Sequence, residues 1–254
     1  MSTRVVVVGA AGRMGATAAR CFLNDPNFEV VGLVDKDASD TSDVNLPIET
    51  DLSACLTRTQ PDVMLEFSTG KTAGKHALTA VQLGVPTVIG ATGVPADEIE
   101  AIKKAAISAP CLLVPNFSIG AVLMMRFSEM AAQYLPDAEI IELHHEKKVD
   151  APSGTAMRTA EMISAGRTKP TTHLPEQQLK SDCARGATVH GVTIHSVRLP
   201  GLLAHQEVHF GGVGELLTIR HDSMDRSSFE MGIKLCCSKV SHLTGFVVGM
   251  ENLL

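Results

Sequence analysis

The sequence is poor in aromatic residues. Of its 254 residues none is Trp, one is Tyr and eight are Phe, so aromatics make up only 4% of the chain. It therefore lacks the stacking platforms with which proteins hold single-stranded nucleic acids. A block of Lys and Arg is also missing, and the formal net charge is −6. We expect neither a nucleic acid nor an anionic membrane surface as a partner.

Long apolar runs and closely spaced cysteine pairs are lacking too. No run is long enough for a transmembrane span, and a strand predicted to begin by residue 4 leaves no room for a signal peptide. The six cysteines include no CxxC motif, and four of them lie in apolar runs or helical patterns. This distribution is typical of reduced core cysteines, which indicates a cytoplasmic protein. With 44% hydrophobic residues the chain can bury a sizeable core, and its length suggests two domains.

The N-terminal segment has the pattern of a dinucleotide-binding unit. Arg4 to Val8 is a β-branched run typical of a strand buried on both faces, and a GxxGxxG turn and a helical stretch follow it. Gly9 allows a tight turn, and Gly12 allows the backbone to approach a pyrophosphate at the helix start. The next predicted strand ends at Asp35, which can accept hydrogen bonds from the ribose hydroxyls of an adenosine.

The residues around Asp35 do not distinguish NADH from NADPH as the cofactor. Lys36 directly follows the acid, and Arg13 lies inside the glycine turn, so either can face a 2′-phosphate. Asp35 would repel that phosphate. The sequence is compatible with NADH and with NADPH.

Alternation of predicted strands and helices continues to residue 117 and predicts a doubly wound parallel sheet. Further predicted strands of this part end in small or polar residues, at Phe67-Ser68, Gly90 to Thr92 and Asn116-Phe117. Ligands bind at the carboxyl ends of the strands in such sheets. The pattern then changes to a methionine-rich helix and strands over 138–144, 193–198, 204–210 and 215–222. These strands predict a second, α+β domain with a mixed, mostly antiparallel sheet.

The stretch from Glu142 to Thr155, ELHHEKKVDAPSGT, is the densest group of chemically active residues. Its histidines stand where a predicted strand ends, and its Pro-Ser-Gly-Thr forms the start of a predicted helix. Backbone N–H groups and the helix dipole make such a start an anion site. Cationic side chains just before it indicate a pocket for a small carboxylate. The alternative is a solvated loop with an ordinary Ser N-cap, in which one histidine has a structural role.

Several segments together resemble the dihydrodipicolinate reductase family, now called 4-hydroxy-tetrahydrodipicolinate reductases. The resemblance spans nearly the whole chain. Its most specific part is HHEKKVDAPSGT, whereas the glycine turn is shared with many dehydrogenases. The matching segments are GAAGRMG at 9–15, GATG at 90–93, PNFSIG at 115–120, ELHHEKKVDAPSGT at 142–155 and VRLPGLLAHQEVHFGGVGELLTIRHDS at 197–223.

The resemblance implies reduction of 4-hydroxy-tetrahydrodipicolinate to tetrahydrodipicolinate in the diaminopimelate route to lysine. The hydride donor would be NADH or NADPH, and the substrate a cyclic dicarboxylate. The family fold implies a Rossmann-type domain over 1–117 that is completed by 226–254. It also implies a substrate-binding and oligomerisation domain over 118–225, and a homotetramer.

Carried over by matching motif, His144 would be the proton donor and acceptor and Lys148 a proton donor. Which of the two delivers the decisive proton is open at this stage. Substrate contacts would fall on His145, Ser153, Gly154 and Thr155. Ala91 stands where many family members have Thr, so a hydroxyl contact is lost there. The expected cofactor contacts are Gly9, Ala10, Ala11, Gly12, Arg13, Met14, Asp35, Lys36, Gly90, Ala91, Thr92, Val114, Pro115, Asn116 and Phe117.

Three rival readings compete with this one. His205 and His209 flank Glu207 at a spacing possible for zinc, but no cysteine or further ligand accompanies them, so we expect no metal. A related fold could also serve an oxidoreductase of another small amino or hydroxy acid. The third reading is a nucleotide-sensing regulator, which the intact histidine, lysine and Ser-Gly-Thr groups disfavour, as does the lack of a basic DNA-reading segment.

Overall fold

The computed structural model describes residues 1–38, 44–172 and 184–254. The chain divides into two compact units. Unit 1 comprises Met1–Phe117 and Phe229–Leu254, and unit 2 comprises Ser118–Ser228.

The first part of unit 1 alternates strands and helices, as the sequence predicts. Its strands are β1 (Thr3–Val8), β2 (Phe28–Val34), β3 (Ile48–Glu49), β4 (Val63–Glu66), β5 (Thr87–Ile89) and β6 (Cys111–Leu113). The helices between them are α1 (Arg13–Leu23), α2 (Leu52–Thr59), α3 (Gly70–Gln82) and α4 (Ala96–Ala105). In β1, Val5 to Val8 are at most 1% exposed, because strands at the centre of such a sheet are covered on both faces.

Unit 2 contains a second sheet and two long helices. The helices are α5 (Ile119–Ala132) and α6 (Gly154–Gly166), and the strands are β7 (Asp137–His144), β8 (Ala187–Val189), β9 (Val192–Arg198), β10 (Ala204–Gly212) and β11 (Glu215–Ser223). The five strands lie in the order β11-β10-β7-β9-β8. Only the central β7–β9 pair is parallel, whereas the other three pairs are antiparallel. The prediction of a mixed, mostly antiparallel sheet is confirmed.

The last segment of the chain joins the sheet of unit 1. After a 3₁₀ turn at Arg226–Phe229, helix α7 (Glu230–Lys239) leads through another 3₁₀ turn to strand β12 (Phe246–Val248). This strand pairs in parallel with β6, and the completed sheet has seven strands in the order β12-β6-β5-β4-β1-β2-β3. The Rossmann-type parallel sheet is therefore confirmed.

The structure corrects several details. It adds α2, β3 and β8, which the sequence did not suggest. The amphipathic pattern from Ser227 to Leu243 predicts one helix, which the structure divides into α7 and its flanking 3₁₀ turns. The glycine-rich stretch Gly211 to Gly214 predicts the hairpin turn between β10 and β11, and the observed turn is tighter, since pairing continues through Gly212 and Glu215. The polar stretch from Gly166 to Gly186 predicts a loop, and its residues 173–183 lie outside the described residues.

The described cysteines behave as core residues. Cys21, Cys55, Cys111, Cys236 and Cys237 are all free and buried, while Cys183 lies outside the described residues. Burial raises the pKa of the Cys111 thiol to about 12, so this side chain stays protonated at neutral pH. Within residues 1–38, 44–172 and 184–254, every helix is too short or too polar to span a bilayer.

Candidate active site

The turn after β1 is too tightly packed for any residue but glycine. Gly9 has a φ of +77°, and a Cβ at this position would lie 2.6 Å from the carbonyl carbon of Phe67. A Cβ on Gly15 would lie 2.1 Å from the carbonyl oxygen of Gly9. The strand end and the first turn of α1 thus approach each other as a dinucleotide-binding turn requires. Among the described residues, no side chain caps the start of α1 at Gly12, so this helix start is suited to an anion.

The acid at the end of β2 is built into the same turn. Asp35 accepts hydrogen bonds from the backbone N–H of Ala11 at 2.9 Å and from that of Lys36 at 2.7 Å. These two bonds fix the carboxylate beside the turn and leave it further acceptor capacity. The Lys36 ammonium projects into solvent and lies 3.4 Å from a carboxylate oxygen of Asp37.

A cavity of about 480 Å³ opens beside this turn. Its size lies in the usual range for small-molecule sites. Of the predicted cofactor residues, Gly9, Ala11, Gly12, Asp35 and Lys36 line it. The segment after β4 also contributes Phe67, Ser68, Thr69, Thr72 and His76.

The remaining predicted cofactor residues lie elsewhere in unit 1. Ala10, Arg13 and Met14 belong to the turn and to the start of α1, whereas 90–92 follow β5 and 114–117 follow β6. The ends of β5 and β6 are joined to their neighbours, because Gly90 N–H donates to Glu66 O at 2.8 Å and Val114 N–H to Ile89 O at 2.8 Å. A Cβ on Gly90 would lie 2.2 Å from a ring carbon of Phe67, so close packing also requires glycine at this position.

Glu66 and His76 were missed by the sequence reasoning. Glu66 is completely buried at the end of β4, and its carboxylate accepts from the N–H of Ser68 at 2.5 Å and contacts His76 Nδ1 at 2.8 Å. The pair therefore holds the segment that lines one side of the cavity. The available signal was an acid at the end of an otherwise apolar predicted strand.

In unit 2 the first histidine of the pair ends strand β7. His144 lies on the same face of the strand as Glu142, two residues earlier, and its Nδ1 is 2.5 Å from Glu142 Oε2. The Glu142 side chain is completely buried, whereas that of His144 is 14% exposed. His145 lies beyond the strand, and its Nδ1 accepts from the backbone N–H of Lys147 at 3.2 Å.

Arg198 completes a buried ion pair that the sequence reasoning also missed. It lies opposite His144 in the parallel β7–β9 register. Its guanidinium donates to both carboxylate oxygens of Glu142, at 2.9 and 2.8 Å, and to the carbonyl oxygen of Asp150 at 2.7 Å. This fork-to-fork geometry is the strongest arrangement open to an arginine and a carboxylate.

The electrostatics of this cluster favour an ionised Glu142. Burial by itself would raise the pKa of the carboxyl, but hydrogen bonds from His144, Arg198 and Ser196 and the charge of His144 outweigh it and lower the pKa to about 2. The hydrogen bond from Lys148, whose ammonium lies 2.7 and 2.9 Å from the two carboxylate oxygens, also lowers the pKa of Asp150. Both carboxylates are therefore anionic at neutral pH.

The predicted helix start lies beside this cluster. Ser153 is the N-cap of α6, and its hydroxyl accepts from the N–H of Ala156 at 3.2 Å. The N–H of Ser153 itself donates to Glu142 Oε1 at 3.3 Å. The next residue, Gly154, is exposed, and a Cβ there would meet no described atom within 4 Å. One buried carboxylate thus connects the strand-end histidine with the start of α6.

The two histidines at a spacing possible for zinc contact other side chains in the structure. His205 Nδ1 lies 2.7 Å from Asp222, and His209 contacts both Glu207 and Thr218 at 3.0 Å. Across the parts of the chain that the structure describes, no group of three or more His, Cys, Asp or Glu side chains is arranged to hold a metal ion.

Comparison with known proteins identifies the family. The model for the N-terminus of dihydrodipicolinate reductase matches residues 3–117, and the model for its C-terminus matches residues 120–254. The chain belongs to the dihydrodipicolinate reductase family. It is accordingly an oxidoreductase of the diaminopimelate route to lysine and works with a pyridine nucleotide.

Individual relatives match over their whole length. The 4-hydroxy-tetrahydrodipicolinate reductase of Geobacillus thermodenitrificans is 44% identical, with 100% of both chains covered. The enzyme of the same name from Moorella thermoacetica is 47% identical, covering 99% of this chain and 97% of its own.

Solved structures agree with this assignment. A dipicolinate-bound dihydrodipicolinate reductase from Paenisporosarcina sp. TG-14 has a TM-score of 0.90 at 39% identity, with 100% of both chains covered. An amine dehydrogenase from Mycobacterium smegmatis, at 12% identity and a TM-score of 0.66 over 99% of this chain and 96% of its own, shares the fold.

Proposed function

We propose that the chain reduces 4-hydroxy-tetrahydrodipicolinate to tetrahydrodipicolinate with hydride from NADH or NADPH and a proton, the 4-hydroxyl group leaving as water. One observation carries the proposal: in unit 2 a buried carboxylate, Glu142, joins a histidine at a strand end to a helix start. This arrangement offers a proton and an anion site to the same small molecule. The names of the full-length relatives support this substrate.

The start of α6 is proposed to bind one carboxylate of the cyclic substrate. At this helix start Glu142 accepts from the N–H of Ser153, and the Ser153 hydroxyl accepts from that of Ala156. On the family motif we assign the carboxylate contacts to Gly154 and Thr155, at the helix end where the dipole favours an anion. The open space at Gly154 supports this assignment, and the imidazole of His145 and the hydroxyl of Ser153 complete the proposed contacts. Dipicolinate, which the Paenisporosarcina reductase binds, is likewise a cyclic dicarboxylate.

Proton transfer is assigned to two side chains. His144 takes and gives a proton through the ring nitrogen that does not face Glu142, since imidazole exchanges protons readily near neutral pH. Lys148 is a second proton donor, and Asp150 holds its ammonium in place through both carboxylate oxygens. These cationic groups also stabilise the negative charge that develops as the substrate accepts hydride.

The nucleotide is assigned to unit 1. A nicotinamide cofactor supplies hydride when bound, and the observed turn fits its pyrophosphate, because Gly9 and Gly15 leave no room for side chains between strand and helix. Asp35 would accept the ribose hydroxyls of NADH, and Lys36 would approach the 2′-phosphate of NADPH as a point charge. We propose NADH, NADPH or both as the hydride donor. The assigned contacts are Gly9, Ala10, Ala11, Gly12, Arg13, Met14, Asp35, Lys36, Gly90, Ala91, Thr92, Val114, Pro115, Asn116 and Phe117.

We further propose a homotetramer located in the cytoplasm. The β10–β11 hairpin of unit 2 carries the exposed apolar side chains Val213, Leu216 and Leu217, which a subunit contact would cover. The buried free cysteines suit a reducing compartment. Light scattering of the purified protein tests the assembly, and a mass below that of four chains would contradict it.

The decisive experiment is a reductase assay with each cofactor. The cyclic substrate is generated immediately before use, and oxidation of NADH and NADPH is followed by absorbance. We expect turnover with this substrate and none with simple keto acids. Turnover with keto acids but not with the cyclic imine would replace the proposal by an oxidoreductase of another small acid. Binding of nucleotide without any turnover would instead support a sensor.

A further inference from the structure

The Glu142 carboxylate has every acceptor position occupied. Oε2 faces His144 Nδ1 at 2.5 Å and Arg198 Nη1 at 2.9 Å, and Oε1 accepts from Arg198 Nη2 at 2.8 Å and from the N–H of Ser153 at 3.3 Å. An ionised carboxylate offers about four lone-pair positions, and Ser196 is a further donor to this one, so it is saturated. The side chain is also fully buried. A group so placed does not touch substrate, and its influence must pass through its neighbours.

We propose that Glu142 is the positioning residue of the reaction, which fixes the tautomer and ring orientation of His144 and holds the start of α6 at a set distance from it. The inference rests on the proposed function, in which His144 transfers a proton and the helix start binds a carboxylate. It assigns a role to a residue that makes neither of those contacts itself.

The tautomer follows from the charge state of Glu142. With its pKa lowered to about 2, as burial is outweighed by the hydrogen bonds from His144, Arg198 and Ser196, the carboxylate is ionised at neutral pH and can only accept. The hydrogen in the 2.5 Å contact therefore belongs to His144 Nδ1. Neutral His144 then has its lone pair on Nε2, which becomes the atom that accepts and returns a proton.

Arg198 makes this arrangement rigid. Its two bonds prevent the Glu142 carboxylate from rotating, and its third bond, to the carbonyl oxygen of Asp150 at 2.7 Å, fixes the loop that leads to Ser153. The charged groups around His144 in unit 2 are Glu142 on its own strand, Arg198 on β9, and the Lys148–Asp150 pair in the loop. Only Glu142 is in contact with the imidazole among the described residues of this set.

The same strand provides a matched control. Glu139 contacts His195 Nε2 at 2.8 Å and pairs with Arg185, so it has the same kinds of partner as Glu142. It lies on the opposite face of β7, however, and its side chain is 36% exposed. A Glu139→Gln variant therefore removes a similar carboxylate from the same strand without touching His144 or the start of α6.

The first test compares Glu142→Gln with Glu139→Gln by steady-state kinetics. We expect Glu142→Gln to lower kcat roughly 100-fold, the usual order for a misplaced general acid or base. The pH profile of kcat should change as well, because the carboxylate in contact with the proposed proton-transfer group is lost. Nucleotide affinity should not change, since the proposed nucleotide contacts lie in unit 1. Glu139→Gln should leave kcat, the pH profile and the mass of the assembled protein unchanged. Wild-type kcat and pH profile in folded Glu142→Gln would overturn the proposal.

A double-mutant comparison separates positioning from a general structural role. In a His144→Gln background, Glu142→Gln should lower kcat only a few-fold further, because the residue through which it acts is already gone. An equal loss in both backgrounds would show that Glu142 supports the fold and not the histidine.

A measurement on the folded wild-type protein does not depend on the folding of a Glu142 variant or on substrate identity. With ¹⁵N-labelled histidine, NMR should show neutral His144 carrying its hydrogen on Nδ1, the signal being assigned by its loss in His144→Gln. A hydrogen on Nε2 would overturn the proposal even if the reductase assay succeeded. Conversely, the Nδ1 form would support the role of Glu142 even if turnover required a different cyclic carboxylate.

Discussion

Removal of Arg198 tests the buried ion pair most directly. Arg198→Met keeps much of the apolar stem but removes the two hydrogen bonds to Glu142 and the one to the Asp150 carbonyl oxygen. Glu142 then remains buried with an anionic carboxylate and without its guanidinium partner. Breaking a buried pair in this way leaves an uncompensated charge and usually lowers the free energy of unfolding by about 3–5 kcal/mol.

The lowered pKa of Glu142, to which His144, Arg198 and Ser196 all contribute, sets an upper limit on the stability that this pair adds through ionisation. Lowering it from 4.5 to about 2 in the folded state corresponds to about 3 kcal/mol of stability. Because the folded pKa is the lower one, this stability is fully present above pH 5 and is lost as the pH falls toward 2. In Arg198→Met the carboxylate is less stabilised as an anion, because only the hydrogen bonds from His144, Ser153 and Ser196 remain, so protonation relieves part of the cost of the substitution. The difference in unfolding free energy between wild type and variant should therefore shrink between pH 7 and pH 4.

The assay is urea unfolding followed by circular dichroism at both pH values, with equal protomer concentrations because assembly contributes to apparent stability. Arg158→Met is the control, since Arg158 pairs with Glu161 on the exposed surface of α6 with side chains 45% and 53% exposed. We expect the control to lower the free energy of unfolding by less than about 1 kcal/mol. A similarly small effect of Arg198→Met at pH 7, or an effect that does not change with pH, would refute the reasoning.

Three further predictions concern binding and catalysis. Gly154→Ala should not lower the urea midpoint of unfolding, because the added methyl group meets no described atom within 4 Å. It should raise the KM for the cyclic substrate by up to roughly tenfold in steady-state kinetics, because the methyl group obstructs the helix start. In fluorescence titrations, Asp35→Asn should weaken NADH binding roughly tenfold or more, whereas Lys36→Ala should weaken only NADPH binding. Equal NADPH affinity before and after the Lys36 change would show that this lysine does not contribute to cofactor selection. His144→Gln and Lys148→Met should each lower kcat by roughly 10²- to 10⁴-fold with nucleotide binding unchanged, and wild-type kcat in both would contradict the proposed catalytic residues.

The elements of the fold that the sequence revealed are those with strong periodic patterns. The β-branched run of β1 and the glycine turn after it are local signals, and the structure confirms both. Helix α2 was missed although Leu52, Cys55 and Leu56 recur at helical spacing and Asp51 caps the helix by accepting from Ala54 N–H at 2.9 Å. It has only eight residues, and a polar segment precedes it, so its pattern is too brief to stand out.

Some parts of the candidate site are close in sequence, whereas others are brought together only by the fold. The histidine pair and the start of α6 lie within 14 consecutive residues, so their proximity could be predicted from the chain itself. Arg198 lies 56 residues from Glu142, and only the parallel pairing of β7 with β9 brings the two together. Hydrophobic alternation does not encode that pairing.

The strand pattern nevertheless contained an unused indication of the buried pair. In β7 the side chains of Ile140, Glu142 and His144 share one face, and Ile140 and Glu142 are both 0% exposed. Glu142 thus occupies a position at which the alternation of buried and exposed residues along β7 predicts an apolar side chain. A charge on the core face of a strand is stable only with a buried partner, so the pattern predicts a cation there without naming it. The same reasoning applies to Glu66 at the end of β4, where the partner is His76. In both cases the fold determines which basic side chain pairs with the acid. Glu142 in turn orients the groups that we assign to binding and catalysis, whereas Glu66 holds the segment that lines the cavity in unit 1.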